Sequence, residues 1–410
     1  MKRNAGNVDK AKECAVQPGA VQDTDTRRGL GDSRSTEGVG DRQGSAAAGA
    51  TMTGKPGRGF FAHLHFPSVS VRSLRFKATW GAGVLLIVCF VILAGSGILL
   101  AFAYQPDFQG AYESVWEITF NYPYGRLLRS VHYLAGNLFF LASLLHLLRV
   151  IWAGAYSGAR YRNYVYGLAL LVIGFGALAT GYFLPMSEIS YWALVVGTRF
   201  LDYFPVVGLP VKRLLMGGEE IGDATVVRLY VLHLTILPLV FIGFASLHLW
   251  RIRKDQGLLK PISLGPEELR KVSYTFAVRR EWMVFLLVVI ALLSWALASP
   301  VELGPRPAPA YPPNPVKAAW FFVALQETLS YSAFWGGVVP LGVVAAVFLL
   351  FPLFAGGRDG YPLLARRKVF SAVALATLLA YAAFTLLGLC CRGPNWSFTM
   401  PSLGVQLLLW

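Results

Sequence analysis

The chain has 410 residues, of which 55% are hydrophobic and only 14% charged, with a formal net charge of +15. Soluble globular domains carry about 25% charged residues, so this balance excludes an ordinary soluble enzyme and points to a helical membrane protein. The basic residues stand mostly in a polar N-terminal tail and in alternate loops between apolar runs, which reads as a signal for membrane orientation rather than as a nucleic-acid surface.

Residues 1–60 are rich in Gly, Ala, Ser, Thr and charge. They have too little apolar surface to offset chain entropy, and the expectation is a disordered cytoplasmic tail. They lack the basic start and apolar core of a cleavable signal, so the first apolar run is expected to direct insertion and to remain as a helix. Seven runs follow that can span a bilayer, at roughly 79–104, 131–152, 165–185, 229–251, 282–299, 336–354 and 369–391. Each approaches the ~20 residues that a crossing needs. Segment 316–331 is short and punctuated, and is expected to be a helix lying at the surface. The predicted fold is an all-α integral membrane protein with seven transmembrane helices.

Loop charge sets the direction. Arg72, Arg75 and Lys77 precede the first run, Arg160 and Arg162 follow the second, Arg251 to Arg280 follow the fourth, and Arg358 to Lys368 follow the sixth. The alternate loops carry Asp107, Glu113, Glu117, Glu219, Glu220 and Asp223. Positive-inside then puts the N-terminus in the cytoplasm. The second and fourth runs both cross from outside to inside.

The cysteines, Cys14, Cys89, Cys390 and Cys391, form neither a CxxC pair nor a CxxCH attachment motif, and Cys89 reads as a small core residue. Of six histidines, His63 and His65 precede the first run and have no assigned partner, whereas His132 and His146 lie in the second run and His233 and His248 in the fourth. Ionisable side chains at such depth are costly and usually functional. Fourteen residues of α-helix rise about 21 Å and return to within about 40° of four whole turns, so His132 and His146 share a face near opposite sides of the membrane. His233 and His248 are fifteen apart, with Pro238 between them. A proline in a helix removes a hydrogen bond and can provoke a bulge that absorbs one residue, which would make the two intervals equivalent. His132 would then face His233 at the outer level and His146 face His248 at the inner one, each pair supplying two axial imidazoles to one haem.

Glycines repeat the interval. Gly83 and Gly97 are fourteen apart in the first run, as are Gly167 and Gly181 in the third, which suits close approach of a flat macrocycle to a backbone. Arg129 and Arg149 lie three residues from His132 and His146, suited to pair with propionates. The alternatives are histidines as polar interhelical glue and arginines that only anchor helix ends.

The segments LLRSVHYLAGNLFFLASLLHLLRV (127–150), TGYFLPMSEISYWA (180–193) and the stretch from Phe204 to Gly257 closely resemble the cytochrome b/b6 family of bc-type complexes. The fifteen-residue second interval resembles the b6 branch. The resemblance implies a di-haem four-helix domain over 61–257 and a three-helix, subunit IV-like domain over 258–410, on one chain. It also implies two non-covalent b-type haems and quinone or quinol as substrate. The implied partners are a Rieske-type iron–sulfur protein, c-type cytochrome subunits or both, together with membrane lipid and a homodimeric partner in a larger complex of the bacterial cytoplasmic membrane.

Three departures bear on function. Where the family carries Pro-Glu-Trp-Tyr, this chain reads Lys317-Ala318-Ala319-Trp320-Phe321-Phe322, so the acidic position is Ala318 or Ala319. The third run ends Leu184-Pro185-Met186-Ser187-Glu188 where the family has Pro-Trp. The place of the b6 branch's haem-bearing cysteine is Gly81, so no extra haem is predicted. A quinol site needs a proton acceptor within hydrogen-bond reach; Glu188 is the candidate and Glu327 the reserve. Three readings stay open: a di-haem subunit of a quinol/quinone oxidoreductase, a haem wire with an inner quinone site and a non-Rieske partner, and a non-redox scaffold or transporter.

Overall fold

Each long apolar run becomes a helix because a backbone that crosses a bilayer must satisfy its hydrogen bonds internally. The computed structural model describes residues 68–70, 81–254, 271–356 and 362–400. The tail 1–60, His63, His65, Cys14 and the loop arginines and lysines at 72–77, 260, 270 and 358 lie outside the described residues. Seven helices among the described residues are long and apolar enough to cross a membrane.

In chain order the elements begin with β1 (Ser68–Ser70), α1 (Ala82–Ala101), α2 (Phe108–Phe120), α3 (Gly125–Ala153) and α4 (Tyr161–Phe183). Next come α5 (Glu188–Leu201), α6 (Gly208–Met216), α7 (Asp223–Val231), a π-turn (Leu232–Ile236) and α8 (Leu237–Lys254). The last part holds β2 (Lys271–Ser273), α9 (Tyr274–Ala298), α10 (Trp320–Leu329), a second π-turn (Ala333–Val338), α11 (Val339–Phe354) and α12 (Leu364–Cys391). The spans are α1, α3, α4, α7–α8, α9, α11 and α12, within several residues of the predicted runs. α3 and α9 begin earlier than expected, at Gly125 and Tyr274, because polar and basic residues at their starts are compatible with helix outside the apolar stretch.

Helices α1 and α3 lie along one another, as do α4 and α8, and α3 also packs on α4. α9 rests on α1 and α3, and α12 rests on α3 and α10. β1 and β2 pair antiparallel, Val69 opposite Val272, which joins the strand before α1 to the strand before α9. Short polar signals end and start the pieces: the Asp107 carboxylate accepts from the Gly110 N–H at 2.6 Å to cap α2, and Gly154 closes α3 in the left-handed region at φ +71°.

Both π-turns precede a proline by two residues, Pro238 and Pro340. Proline lacks the N–H for its own helical bond and its ring crowds the carbonyl four residues back, so the preceding turn widens by one residue. The bulge expected from Pro238 is therefore present, and it holds His233 itself.

Segment 316–331 departs from expectation. It is helical over Trp320–Leu329, but Phe321, Val323, Ala324 and Glu327 are buried. The helix is packed against α12 and the α3–α4 pair rather than lying at the surface, because its aromatic start finds partners in Phe140, Phe175 and Tyr182.

Candidate functional site

The four intramembrane histidines meet in the expected pairs. The His132 and His233 ring centres are 6.2 Å apart with planes crossed at 77°, and those of His146 and His248 are 6.4 Å apart, crossed at 75°. An imidazole nitrogen sits about 2.0–2.1 Å from a bound transition metal such as zinc, and the ring centre lies about 1.1 Å behind it, so two imidazoles on opposite sides of one ion have centres about 6.3 Å apart. Both pairs match that separation. Among the described residues no group of three or more His, Cys, Asp and Glu gathers around a point.

Hydrogen bonds set which ring nitrogen is free. His233 Nδ1 lies 2.9 Å from the Ala177 carbonyl and His248 Nδ1 lies 3.1 Å from the Asn163 carbonyl. A carbonyl only accepts, so Nδ1 carries the proton in both rings and Nε2 keeps its lone pair. His132 Nδ1 is 2.9 Å from Ser96 Oγ, whose hydroxyl already donates to the Ile92 carbonyl at 2.6 Å, so here too Nδ1 donates. Three of the four rings are thereby held in the tautomer that a metal requires at Nε2.

The repeated glycines each stand against one histidine. A Cβ on Gly181 would lie 2.5 Å from His233 Cε1, on Gly97 3.1 Å from His132 Cε1, on Gly167 3.4 Å from His248 Cε1, and on Gly83 3.8 Å from His146 Cε1. What the missing side chains leave room for is thus the ligand ring, a partner that spacing alone did not identify. This gradient carries a prediction. Gly181→Ala should lose most haem at the outer level, Gly97→Ala part of it, and Gly167→Ala and Gly83→Ala little, measured as haem per chain by pyridine haemochrome. Alanine favours helix over glycine by about 1 kcal/mol, so helix weakening cannot produce the ranking; equal loss in all four variants would refute it.

Arg129 and Arg149 are partly buried on α3. The Arg129 guanidinium donates to the Val301 carbonyl at 3.2 Å, the Glu302 carbonyl at 2.6 Å and Thr119 Oγ1 at 3.2 Å, which ties α3 to the segment after α9.

The sequence model of the cytochrome b/b6/petB family matches residues 69–256. Cytochrome b6 of Heliobacterium modesticaldum is 39% identical over 180 residues, covering 44% of this chain and 84% of that protein. Cytochrome b6 of Heliobacterium mobile matches with the same identity and coverage. The chain belongs to the cytochrome b/b6 family. Among solved structures, a chain of a hyperthermophilic respiratory complex III superposes with a TM-score of 0.65 at 22% identity, covering 76% of this chain and 83% of that one, which is a likeness of fold. As a cytochrome b/b6 protein the chain is an integral membrane, haem-binding electron carrier, and the paired imidazoles fit that group.

In this cytochrome b/b6 chain the altered loop packs tightly. Ala318 and Ala319 are buried, and so is Lys317, whose ammonium donates to the Leu389 carbonyl at 2.7 Å; burial pushes its pKa down. The Trp320 indole N–H donates to Asn137 Oδ1 at 2.6 Å on α3. Phe322 stacks on Phe183 at the end of α4, with ring centres 5.9 Å apart and planes at 5°. Glu327 is fully buried and both its oxygens are taken: Arg392 donates to them at 2.5 to 3.2 Å, the Tyr331 hydroxyl at 3.0 Å and the Trp396 indole at 2.9 Å. Glu188 is the first residue of α5, half-buried, and its backbone N–H donates to the Pro305 carbonyl at 2.9 Å.

Proposed function

We propose that the chain is the di-haem subunit of a membrane quinol/quinone oxidoreductase and carries electrons across the bilayer between two b-type haems held one above the other. One observation carries this reading: two crossed histidine pairs with metal-sized gaps recur at two levels of one bundle. Each haem, when bound, supplies an iron that takes up and returns one electron. His132 and His233 hold the outer group and His146 and His248 the inner one. The bonds from Nδ1 to Ser96, Ala177 and Asn163 orient three rings and raise their basicity as ligands. Arg129 and Arg149 are the proposed propionate partners, one toward each end of α3.

The domain reading follows the same line, with 61–257 as the haem domain and 258–410 as the subunit IV-like part; it is supported by the extent of the family match, which ends at residue 256. The N-terminus is assigned to the cytoplasm on loop charge. A Rieske-type protein or c-type cytochrome would take or give the outer electron, in a homodimeric complex in the bacterial cytoplasmic membrane.

A second reading, a wire serving an inner quinone site alone, is favoured by the outer loop. The two positions that could match the family's proton-accepting glutamate are buried alanines, and Glu327 has no free oxygen left. Glu188 is the remaining proposed base. The purified complex tests both readings together. Acid–acetone should extract two haems per chain, and quinol should reduce them. With the inner site inhibited, adding oxidant should give no extra reduction of haem b. Fewer than two extractable haems would overturn the di-haem reading. Extra reduction that Glu188→Gln abolishes would restore an active outer site.

A further inference from the structure

Between the two histidine levels lies a third layer at the same register. Phe139 is seven residues from both His132 and His146, Phe90 is seven from both Gly83 and Gly97, and Gly174 is seven from both Gly167 and Gly181. Phe241 is eight from His233 and seven from His248, the additional residue being the one taken up in the π-turn. Seven residues rise about 10.5 Å, so this layer sits midway between the levels. The three rings touch: Phe90 stacks on Phe241 with centres 4.8 Å apart at 22°, and Phe139 meets Phe241 edge-on at 5.6 Å and 65°. Gly174 completes the layer by what it lacks, since a Cβ there would lie 2.9 Å from Phe139 Cε1.

We propose that Phe90, Phe139 and Phe241 form a dry, close-packed bridge through which the electron passes between the two histidine levels. The proposal rests on the di-haem reading. The step is a single electron: it leaves the reduced centre at one level and reduces the oxidised centre at the other, with no bond made or broken. The three phenylalanines and Gly174 have no titratable group and no side-chain hydrogen-bonding atom, so the layer offers water and protons no foothold. Packing is what the rings supply. A void in such a layer strips its lining of partner atoms, and the electron would then have to cross empty space or intruding water.

The test uses the full-length holoprotein and the variants Phe139→Ala, Phe241→Ala and Phe241→Met. Haem per chain, the two midpoint potentials and the EPR spectrum are recorded first. One level is then reduced by a flash-driven donor, and transfer to the other is followed at the separate α-bands. With both haems and both potentials kept, the alanine variants should slow transfer by roughly an order of magnitude, and methionine, which fills irregular gaps, should recover most of the rate. Alanine variants that transfer at the parent rate would overturn the bridge, as would a methionine variant as slow as alanine. Should an alanine variant lose haem, Phe90→Leu provides the milder comparison, with slowing again expected. Fewer than two haems in the parent protein would instead refute the di-haem reading on which the bridge rests.

Discussion

Replacing His132 or His233 with alanine should remove the outer haem, and replacing His146 or His248 should remove the inner one. Each pair of variants should give the same difference spectrum, and each single variant should retain one haem per chain. The expectation comes from geometry. The members of a pair have ring centres 6.2 or 6.4 Å apart, a gap that one ion bridges and one ring cannot. A ring left alone keeps its Nδ1 bond, to Ala177 in the case of His233, and with it the Nε2 lone pair, but it has lost the second imidazole across the gap. A His132→Ala spectrum that matched His248→Ala would show the pairing to be wrong. Visible spectroscopy with extracted-haem quantification decides the matter in one preparation, and a variant that loses both haems is expected from neither level.

Arg392→Leu should be the most destabilising single change outside the two histidine levels. It would strand a carboxylate on Glu327 that is fully buried and keeps only Tyr331 and Trp396 as donors. Breaking a buried pair by removing one partner costs about 3–5 kcal/mol, whereas replacing both partners with apolar residues is often near neutral. The double variant Glu327→Leu/Arg392→Leu should therefore recover most of the lost stability, read from thermal loss of the native haem spectrum in detergent. A single variant as stable as the parent would show that the clamp contributes nothing. The pH dependence has a definite sign. Burial pushes the Glu327 carboxyl up, but hydrogen bonds from Arg392, Tyr331 and Trp396 more than offset it and hold the group below the usual carboxylate range. A folded-state pKa below the unfolded one gives stability that is present above the unfolded value and is lost as pH falls through the folded one. The clamp between α10 and the end of α12 should thus survive mild acid and open only below the ordinary carboxylate range.

The pairing of the four histidines at two levels was legible because helical geometry turns residue counts into distances, and because histidines in apolar helices are costly unless used. Pro238 was legible as a cause of irregularity, and Pro340 carries the same signal, with Ala333–Val338 widened in the same way. The short helices α2, α5 and α6 escaped because they are brief and amphipathic, without the long apolar run that marks a span. The Glu327–Arg392 clamp escaped for another reason: its partners are sixty-five positions apart, and nothing local announces the pairing. The burial of α10 escaped likewise, since its aromatic start reads equally well as an interfacial helix until Phe140 and Tyr182 are brought beside it.

The widened turn at Leu232–Ile236 has a consequence for how such chains diverge. One added residue in a regular helix would rotate everything beyond it by about 100° and turn His248 away from His146. Absorbed where it enters, the insertion leaves the downstream helix in phase. Fourteen residues on α3 and fifteen across α7–α8 then bring their histidines together in two matching pairs, so the axial distance is kept although the count differs. Lineages that differ by one residue in this interval can share one architecture, and an alignment that places its gap anywhere but beside Pro238 would misplace every residue between the gap and that turn.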